Sequence, residues 1–280
     1  MYICVCNAVS DNQIKIAVEN GCSTYQQLCE SYHVGNICGQ CIPEAKALIK
    51  QTLLELNEYQ FTNLENTMKD IITKYFRTHH LPWSESVADD DVITKSPFNE
   101  DDIVVVNIKL DGENFSGYPS GYTHARSVDS VNHESRDYVK RYWQERAHNL
   151  PAGWRICGEN MFAKHSIHYT NLKSYLYVFS IWDENNNCLS WEDTLEWCNL
   201  LDLIPVQTIY TGVYDEQKIK DAFKPYKDEH EGYVVRTAGS FEYKYAFKNI
   251  AKCVRKNHVQ TDSHWMHQQI IPNLLETKDV

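Results

Sequence analysis

Polar and apolar residues alternate at helical spacing along the first 57 positions. Ser10 and Gln13 have the spacing of a capping box, Ile14, Ala17 and Val18 form one apolar stripe behind it, and Gly21 closes the segment. Thr24 and Gln27 repeat the signature and predict a second helix through Leu28. A third helix is expected after Cys41, with Pro43 in its first turn and Ala45, Leu48, Ile49, Leu53 and Leu56 on one side. The stretch NEYQFTNLENTMKD is weakly periodic and reads as a connection. The expected domains are therefore residues 1–57, a linker at 58–68, and residues 69–280.

Beyond the linker the pattern shortens to that of strands. IVVVNIKL, SYLYVFSIW and GYVVR are rich in β-branched and aromatic residues. Helical patterns interrupt them at SRDYVKRYWQERAHNL and at SWEDTLEWCNLLDL, where Ser190 suits an N-cap. Strands and helices without regular βαβ alternation predict an α+β domain with largely antiparallel sheets.

Composition narrows the functional classes. A chain of 280 residues, 42% hydrophobic, can bury a large core. The start lacks a basic, apolar leader, and no run of about 18 apolar residues occurs, so the chain is expected in the cytoplasm, with no membrane partner. The net charge of −11 opposes binding to nucleic acid by bulk electrostatics, so any such site must be a local basic groove. Ten cysteines in that compartment should be reduced or metal-bound.

Four of them form the spacings Cys4-x-Cys6 and Cys38-x-x-Cys41, with a helical segment between. Four thiolates can hold a [2Fe-2S] cluster or a zinc ion. A cluster of charge roughly −2 needs compensation, and the amides at Gly35 and Gly39 and at the start of the third helix are candidates to supply it. Through MYICVCNAVSD and VGNICGQCIPEAK, the segment resembles bacterioferritin-associated ferredoxin over about its first fifty residues. The resemblance implies a small helix-turn-helix domain in which Cys4, Cys6, Cys38 and Cys41 ligate a [2Fe-2S] cluster. Cys22 and Cys29 are then extra, partly buried structural residues.

In the second domain Lys109 ends an apolar strand, followed by Asp111 and a turn at Gly112. An isolated K-x-D-G is a weak signal, but HARS at 124–127, CGEN at 157–160, YLYVFSIWD at 175–183, EGYVVR at 231–236 and IAKCVRKN at 250–257 follow in order. Together they resemble the motifs of covalent nucleotidyltransferases, specifically the RNA ligase family. The resemblance implies an ATP-grasp-like nucleotidyltransferase fold over roughly residues 70–270, ATP and Mg2+ (or Mn2+) as cofactors, and RNA or other polynucleotide ends as substrates. It makes Lys109 the nucleophile that carries AMP, with Asp111 and Gly112 in its motif. Lys252 and Arg255 would stabilise phosphate charge, Glu231 would hold metal, Glu159 would contact the ribose, and Arg126 the nucleotide or acceptor end. Phe179 would stack on adenine, although its place in an alternating strand also suits a core residue.

An attacking lysine must be neutral, whereas its ordinary pKa is about 10.4, so neighbouring cations and burial are expected to lower that of Lys109. Shortening this strand-end lysine is expected to cost little packing. The last motif departs from K-x-K, because Val254 stands second and Arg255 follows; arginine and lysine differ in geometry. No G-x-x-x-x-G-K-[ST] is present, and the 25 residues after Arg255 are too few for an OB-fold. His165, His168, His264 and His267 are spaced like ligands, but without a carboxylate partner they read as exposed or core histidines.

The reading is an ATP-dependent RNA ligase that forms lysyl-AMP and seals 5'-phosphate to 3'-hydroxyl ends. The alternative is an electron-transfer or iron-release protein of the ferredoxin type, docking on bacterioferritin or a redox partner, with a secondary or inactive ligase domain.

Overall fold

A computed structural model describes residues 1–53, 70–87, 91–93, 95–130, 132–256 and 270–276. The chain divides into two compact units, Met1–Met68 and Lys69–Val280. The linker expected at 58–68, the end of the third helix at Leu56, and His264 and His267 lie outside the described residues.

In the first unit β1 (Tyr2–Cys4) and β2 (Val9–Ser10) form an antiparallel ribbon that helix periodicity did not predict. Helix α1 (Asp11–Glu19) and helix α2 (Tyr25–Tyr32) both start at complete capping boxes, on Ser10 with Gln13 and on Thr24 with Gln27. Each box satisfies amides that a helix start leaves unpaired. Gly21, at φ 101°, ends the first segment as expected. The third helix, α3, covers residues 42–53. Ile14, Ala17, Val18, Leu28, Val34, Ala45 and Ile49 pack as one small core.

The second unit has two sheets. Its strands are β3 (His79–His80), β4 (Ile103–Lys109), β5 (Glu113–Gly117), β6 (Thr123–His124), β7 (Arg155–Asn160), β8 (Leu176–Trp182), β9 (Asn187–Cys188), β10 (Ile204–Pro205), β11 (Thr208–Val213), β12 (Gly232–Thr237), β13 (Phe241–Glu242) and β14 (Ile250–Val254). Its helices are α4 (Asp137–Gln144), α5 (Trp191–Leu200), α6 (Glu216–Phe223) and α7 (Ala246–Asn249). One sheet runs β11-β4-β12-β14-β3; the other runs β13-β9-β8-β7-β5-β6, with β10 beside β8. Pairing is antiparallel except for β14 with β3 and β10 with β8. The α+β class with antiparallel sheets is thus realised.

Alternation along the strands separates core from site. Val104, Val106 and Ile108 of β4 pack with Tyr233, Val235, Ala251 and Cys253 and with Ile219 and Phe223 of α6. Ile156, Leu176, Val178 and Ile181 of the other sheet pack with Val139 and Trp143 of α4 and Cys198 of α5. Asn107 and Lys109 therefore emerge on the opposite face of β4. After Lys109 the chain leaves the first sheet and enters the second at β5.

Candidate functional site

A cavity of about 750 Å³ opens against that face. Its walls include Asn107, Lys109, Val234, Arg236, Ile250 and Lys252 from the five-stranded sheet, and Glu113, Asn114, Glu159 and Phe179 from the other. Cross-strand register explains the grouping: Lys109 faces Gly232, while Val234 faces both Asn107 and Lys252. A volume of this order suits a nucleotide-sized ligand.

Among the sequence-assigned residues, Lys109, Gly112, Arg126, Glu159, Phe179 and Lys252 line the cavity. Glu231 joins them through Lys109, whose Nζ donates to Glu231 Oε2 at 2.5 Å. Asp111 acts differently, since its Oδ2 accepts the amides of Ser166 and Ile167, each at 2.8 Å, and so clamps the loop beside the site. Arg255 follows Lys252 by three positions and is absent from the cavity wall. Its Nε donates to His230 O at 2.7 Å and its amide to Glu231 O at 3.0 Å, bracing the segment that carries Glu231.

Close backbone approach requires glycine at two of these positions. A Cβ on Gly112 would lie 2.6 Å from both Asn160 O and Met161 Sδ. On Gly232 it would lie 2.0 Å from Cys253 O, in the ladder next to Lys109. The Gly112 amide donates to Glu159 Oε1 at 3.2 Å. Phe179 is the extra residue where the β7–β8 register shifts, since Cys157 pairs with Ser180 and Gly158 with Val178. The irregularity leaves Phe179 half-buried at the cavity wall, edge-on to Tyr75 at 5.2 Å between ring centroids.

The electrostatics correct one expectation. Burial acts to lower the Lys109 ammonium, but Glu231, Glu159 and Asp111 outweigh it and hold Lys109 above the ordinary lysine value. Sequence spacing could not reveal that carboxylates surround this lysine. Burial pushes the Glu159 carboxyl up to about 8, against the pull of Lys109. Lys252 is lowered by burial and by the charge of Lys109, while Asp91 opposes both. Asp91 Oδ1 lies 3.6 Å from Lys252 Nζ, and its Oδ2 lies 3.0 Å from His80 Nε2.

Sequence reasoning missed several cavity residues. Asn107 carried a signal, as a polar position on a strand otherwise apolar up to Lys109. Tyr75, Phe76 and Thr78, which precede β3, carried none. Arg136, bidentate to Glu113, and Arg236 were also passed over. His165 lines the cavity, and His168 is exposed with its ring at 3.2 Å from Pro272 O.

In the first unit the four expected thiols gather around the β1–β2 turn and the start of α3. Cys6 Sγ and Cys38 Sγ are 3.5 Å apart, and Cys4 and Cys41 form a second interacting pair. Cys4 and Cys41 are buried, while Cys6 and Cys38 are exposed. The Gly35 amide, followed by that of Asn7, lowers the Cys4 thiol against burial, and the Gln40 amide lowers Cys38. Gly35 has φ 84°, and a Cβ there would meet Tyr25 Oη at 2.4 Å. Two close thiol pairs with inward amides suit a two-iron cluster, in which each iron takes two thiolates. Among the described residues, no three His, Cys, Asp or Glu side chains converge as a single-ion site.

Residues 102–254, over half of the chain, match the RNA ligase family model, and residues 2–51 match that of the BFD-like [2Fe-2S] binding domain. The chain belongs to the RNA ligase family, and its first unit to the family of bacterioferritin-associated ferredoxins. That of Pseudomonas aeruginosa is 42% identical over 60 residues, covering 21% of this chain and 82% of the ferredoxin. That of Escherichia coli K12 is 38% identical over 61 residues, covering 21% and 95%. Among solved structures, an archaeal ATP-dependent RNA ligase matches at 18% identity and TM-score 0.45, covering 66% of this chain and 48% of that one. Naegleria gruberi RNA ligase with PPi matches at 15% and 0.43, covering 66% and 61%. The chain spans about half the length of such ligases. No helix among the described residues is long and apolar enough to cross a membrane.

Proposed function

We propose that the chain is an ATP-dependent ligase of RNA or other polynucleotide ends that works through a lysyl-AMP intermediate. The carrying observation is Lys109, which projects from the end of β4 into the cavity, bonded to Glu231 and accompanied by Glu159 and Lys252. In the first step Lys109 Nζ attacks the α-phosphorus of ATP. The new P–N bond replaces the bond to the bridging oxygen, and pyrophosphate leaves. A 5'-phosphate oxygen next displaces Lys109 to give a phosphoanhydride. A 3'-hydroxyl then attacks the 5'-phosphate, and AMP leaves.

The residues have distinct tasks. Lys109 must lose a proton to attack, whereas the Glu231 carboxylate at 2.5 Å holds it protonated, so this contact has to loosen before attack. Lys252 and Arg126 provide positive charge for the phosphates. Glu159 is suited to the ribose and Phe179 to the base. Glu231, with oxygen donors beside the half-buried carboxyl group of Glu159, fits a hard divalent cation. Mg2+ or Mn2+ would add phosphate charge neutralisation there. Arg255 serves by holding the Glu231 segment.

Cys4, Cys6, Cys38 and Cys41 would hold a [2Fe-2S] cluster, which supplies a one-electron redox centre. The exposure of Cys6 and Cys38 supports exchange of electrons with a docked redox partner, and a bacterioferritin is the partner suggested by the ferredoxin relatives. The reducing cytoplasm suits these thiols.

Incubation with ATP labelled at the α-phosphate and a divalent cation tests the reading. A covalent adduct is expected, lost in Lys109→Met. An unlabelled chain, or one labelled equally in the variant, overturns the assignment; cluster content without labelling would leave the ferredoxin alternative.

A further inference from the structure

Two segments of the second unit meet beside the cavity. Tyr243 Oη donates to Lys74 O at 2.7 Å, and the Phe76 ring stands edge-on to that of Tyr243 at 5.8 Å between centroids. Both segments reach the cavity wall: Tyr75, Phe76 and Thr78 line it from one, and Ile250, which follows α7, lines it from the other. Lys74 and Arg77 are interleaved with those wall residues and are exposed, as are Lys244, Tyr245, Phe247 and Lys248. These six side chains therefore form surface next to the wall, and none of them lines the cavity itself.

In a chain of net charge −11 this surface is locally basic. Over residues 74–78 and 241–249 the cations Lys74, Arg77, Lys244 and Lys248 stand against the single carboxylate of Glu242, which lies 2.6 Å from Lys244 Nζ. Tyr245 and Phe247, on either side of buried Ala246, are 43% and 46% exposed. Lys244 and Lys248 Nζ lie 4.9 and 5.7 Å from the Tyr245 centroid, and Lys248 Nζ is also 5.7 Å from that of Phe247. Lysines alone would read as a solvated face. Two large rings left in water among them add flat surfaces on which bases stack, while the cations suit phosphates. A duplex hides the faces of its bases, so the rings favour an unpaired strand.

We propose that this surface holds an unpaired polynucleotide strand beside the nucleotide cavity, with Tyr245 and Phe247 stacking on bases and Lys74, Arg77, Lys244 and Lys248 contacting phosphates. The assignment rests on the reading of the chain as a polynucleotide ligase. It supplies the local basic site that an acidic chain needs in order to bind nucleic acid. Its contribution is to strand binding and not to adenylation, since the six side chains stand outside the cavity.

The experiment measures, for the full chain, fluorescence anisotropy of a short labelled single-stranded RNA and of the blunt duplex of the same sequence over a range of salt, together with adduct formation from ATP. Wild type should prefer the single strand. The double variant Tyr245→Ala/Phe247→Ala should bind that strand about tenfold or more weakly, the scale of base–aromatic stacking. Lys244→Gln/Lys248→Gln should also weaken binding and flatten its logarithmic salt dependence by about 0.7 per lysine. Both variants should form the adduct with ATP as wild type does, because exposed side chains are replaced. Should the aromatic variant not fold, the lysine variant decides. Equal affinity of wild type for duplex and single strand overturns the proposal. So does unchanged RNA binding in the variants, the result expected of a patch that serves a protein partner. A chain that forms no adduct with ATP loses the ligase reading, whereas one that forms the adduct but binds RNA equally well in every variant loses this assignment alone.

Discussion

Replacing Lys109 by methionine removes one partner of a shielded ion pair, with the lysine side chain 24% and the Glu231 side chain 10% exposed. Loss of one partner from a buried pair costs about 3–5 kcal/mol. Residual exposure of both side chains reduces this through solvent screening. A net loss of about 2–3 kcal/mol at pH 8 is expected, or roughly 5–10 °C in melting temperature. The sign with pH follows from Glu159, whose carboxyl is already raised to about 8. A carboxyl raised on folding disfavours the folded state progressively as pH climbs from its unfolded value through its folded one. Removing Lys109 raises it further, so the deficit of Lys109→Met should be larger at pH 8 than at pH 6. The double variant Lys109→Met/Glu231→Gln should recover about half of the loss, because the shielded negative charge that faced Lys109 is gone. Melting curves at both pH values, together with ATP labelling, test this. A single variant as stable as wild type at pH 8, or a double variant less stable than the single one, would refute the argument and restore the expectation that shortening this lysine costs little.

Four further outcomes are expected. Anaerobically purified protein should hold about two irons and two sulfides per chain with visible absorption, lost in Cys38→Ser or Cys41→Ser; a colourless protein with stoichiometric zinc would contradict the cluster. Asp91→Asn removes the carboxylate that opposes the lowering of Lys252, so the alkaline limb of the labelling rate should move to lower pH and the rate fall about tenfold; an unmoved limb argues against Asp91 as the positioning residue. His124, lowered by burial, accepts the Tyr118 hydroxyl at 2.9 Å while its Nδ1–H donates to Ala125 O, so stability should fall as pH drops below about 6.5 toward its lower folded value. His80 and His230, also lowered by burial, add to the slope; in a Glu159→Gln background, which removes the opposing slope of that raised carboxyl, urea midpoints that stay flat from pH 8 to 5 would count against all three. A fragment of residues 68–280 should fold and take AMP from ATP; a folded fragment that cannot do so would make the first unit part of the adenylation site.

Local patterns in the chain were enough for the helix starts at Ser10, Thr24 and Ser190, for the strands of β4, β8 and β12, and for the clustering of four thiols. Caps and strand alternation depend on residues two to four positions apart, so the order of residues specifies them directly. Lys109, Glu159, Phe179 and Lys252, named from the ligase motifs, line one cavity, although their environment was not legible in the sequence. Lys109 meets Glu231 across 122 positions, and that contact exists only after β4 and β12 pair in register. The charge state of the lysine follows from such pairings, because the carboxylates of Glu231, Glu159 and Asp111 together outweigh the effect of burial. The same holds for Phe179, whose aim depends on a register shift between two strands, and for Arg255, whose side chain is taken by a carbonyl. Tyr75 and Arg236 became visible as site residues only once two sheets had closed around a common space, because burial and hydrogen-bond satisfaction are properties of neighbours distant in the chain.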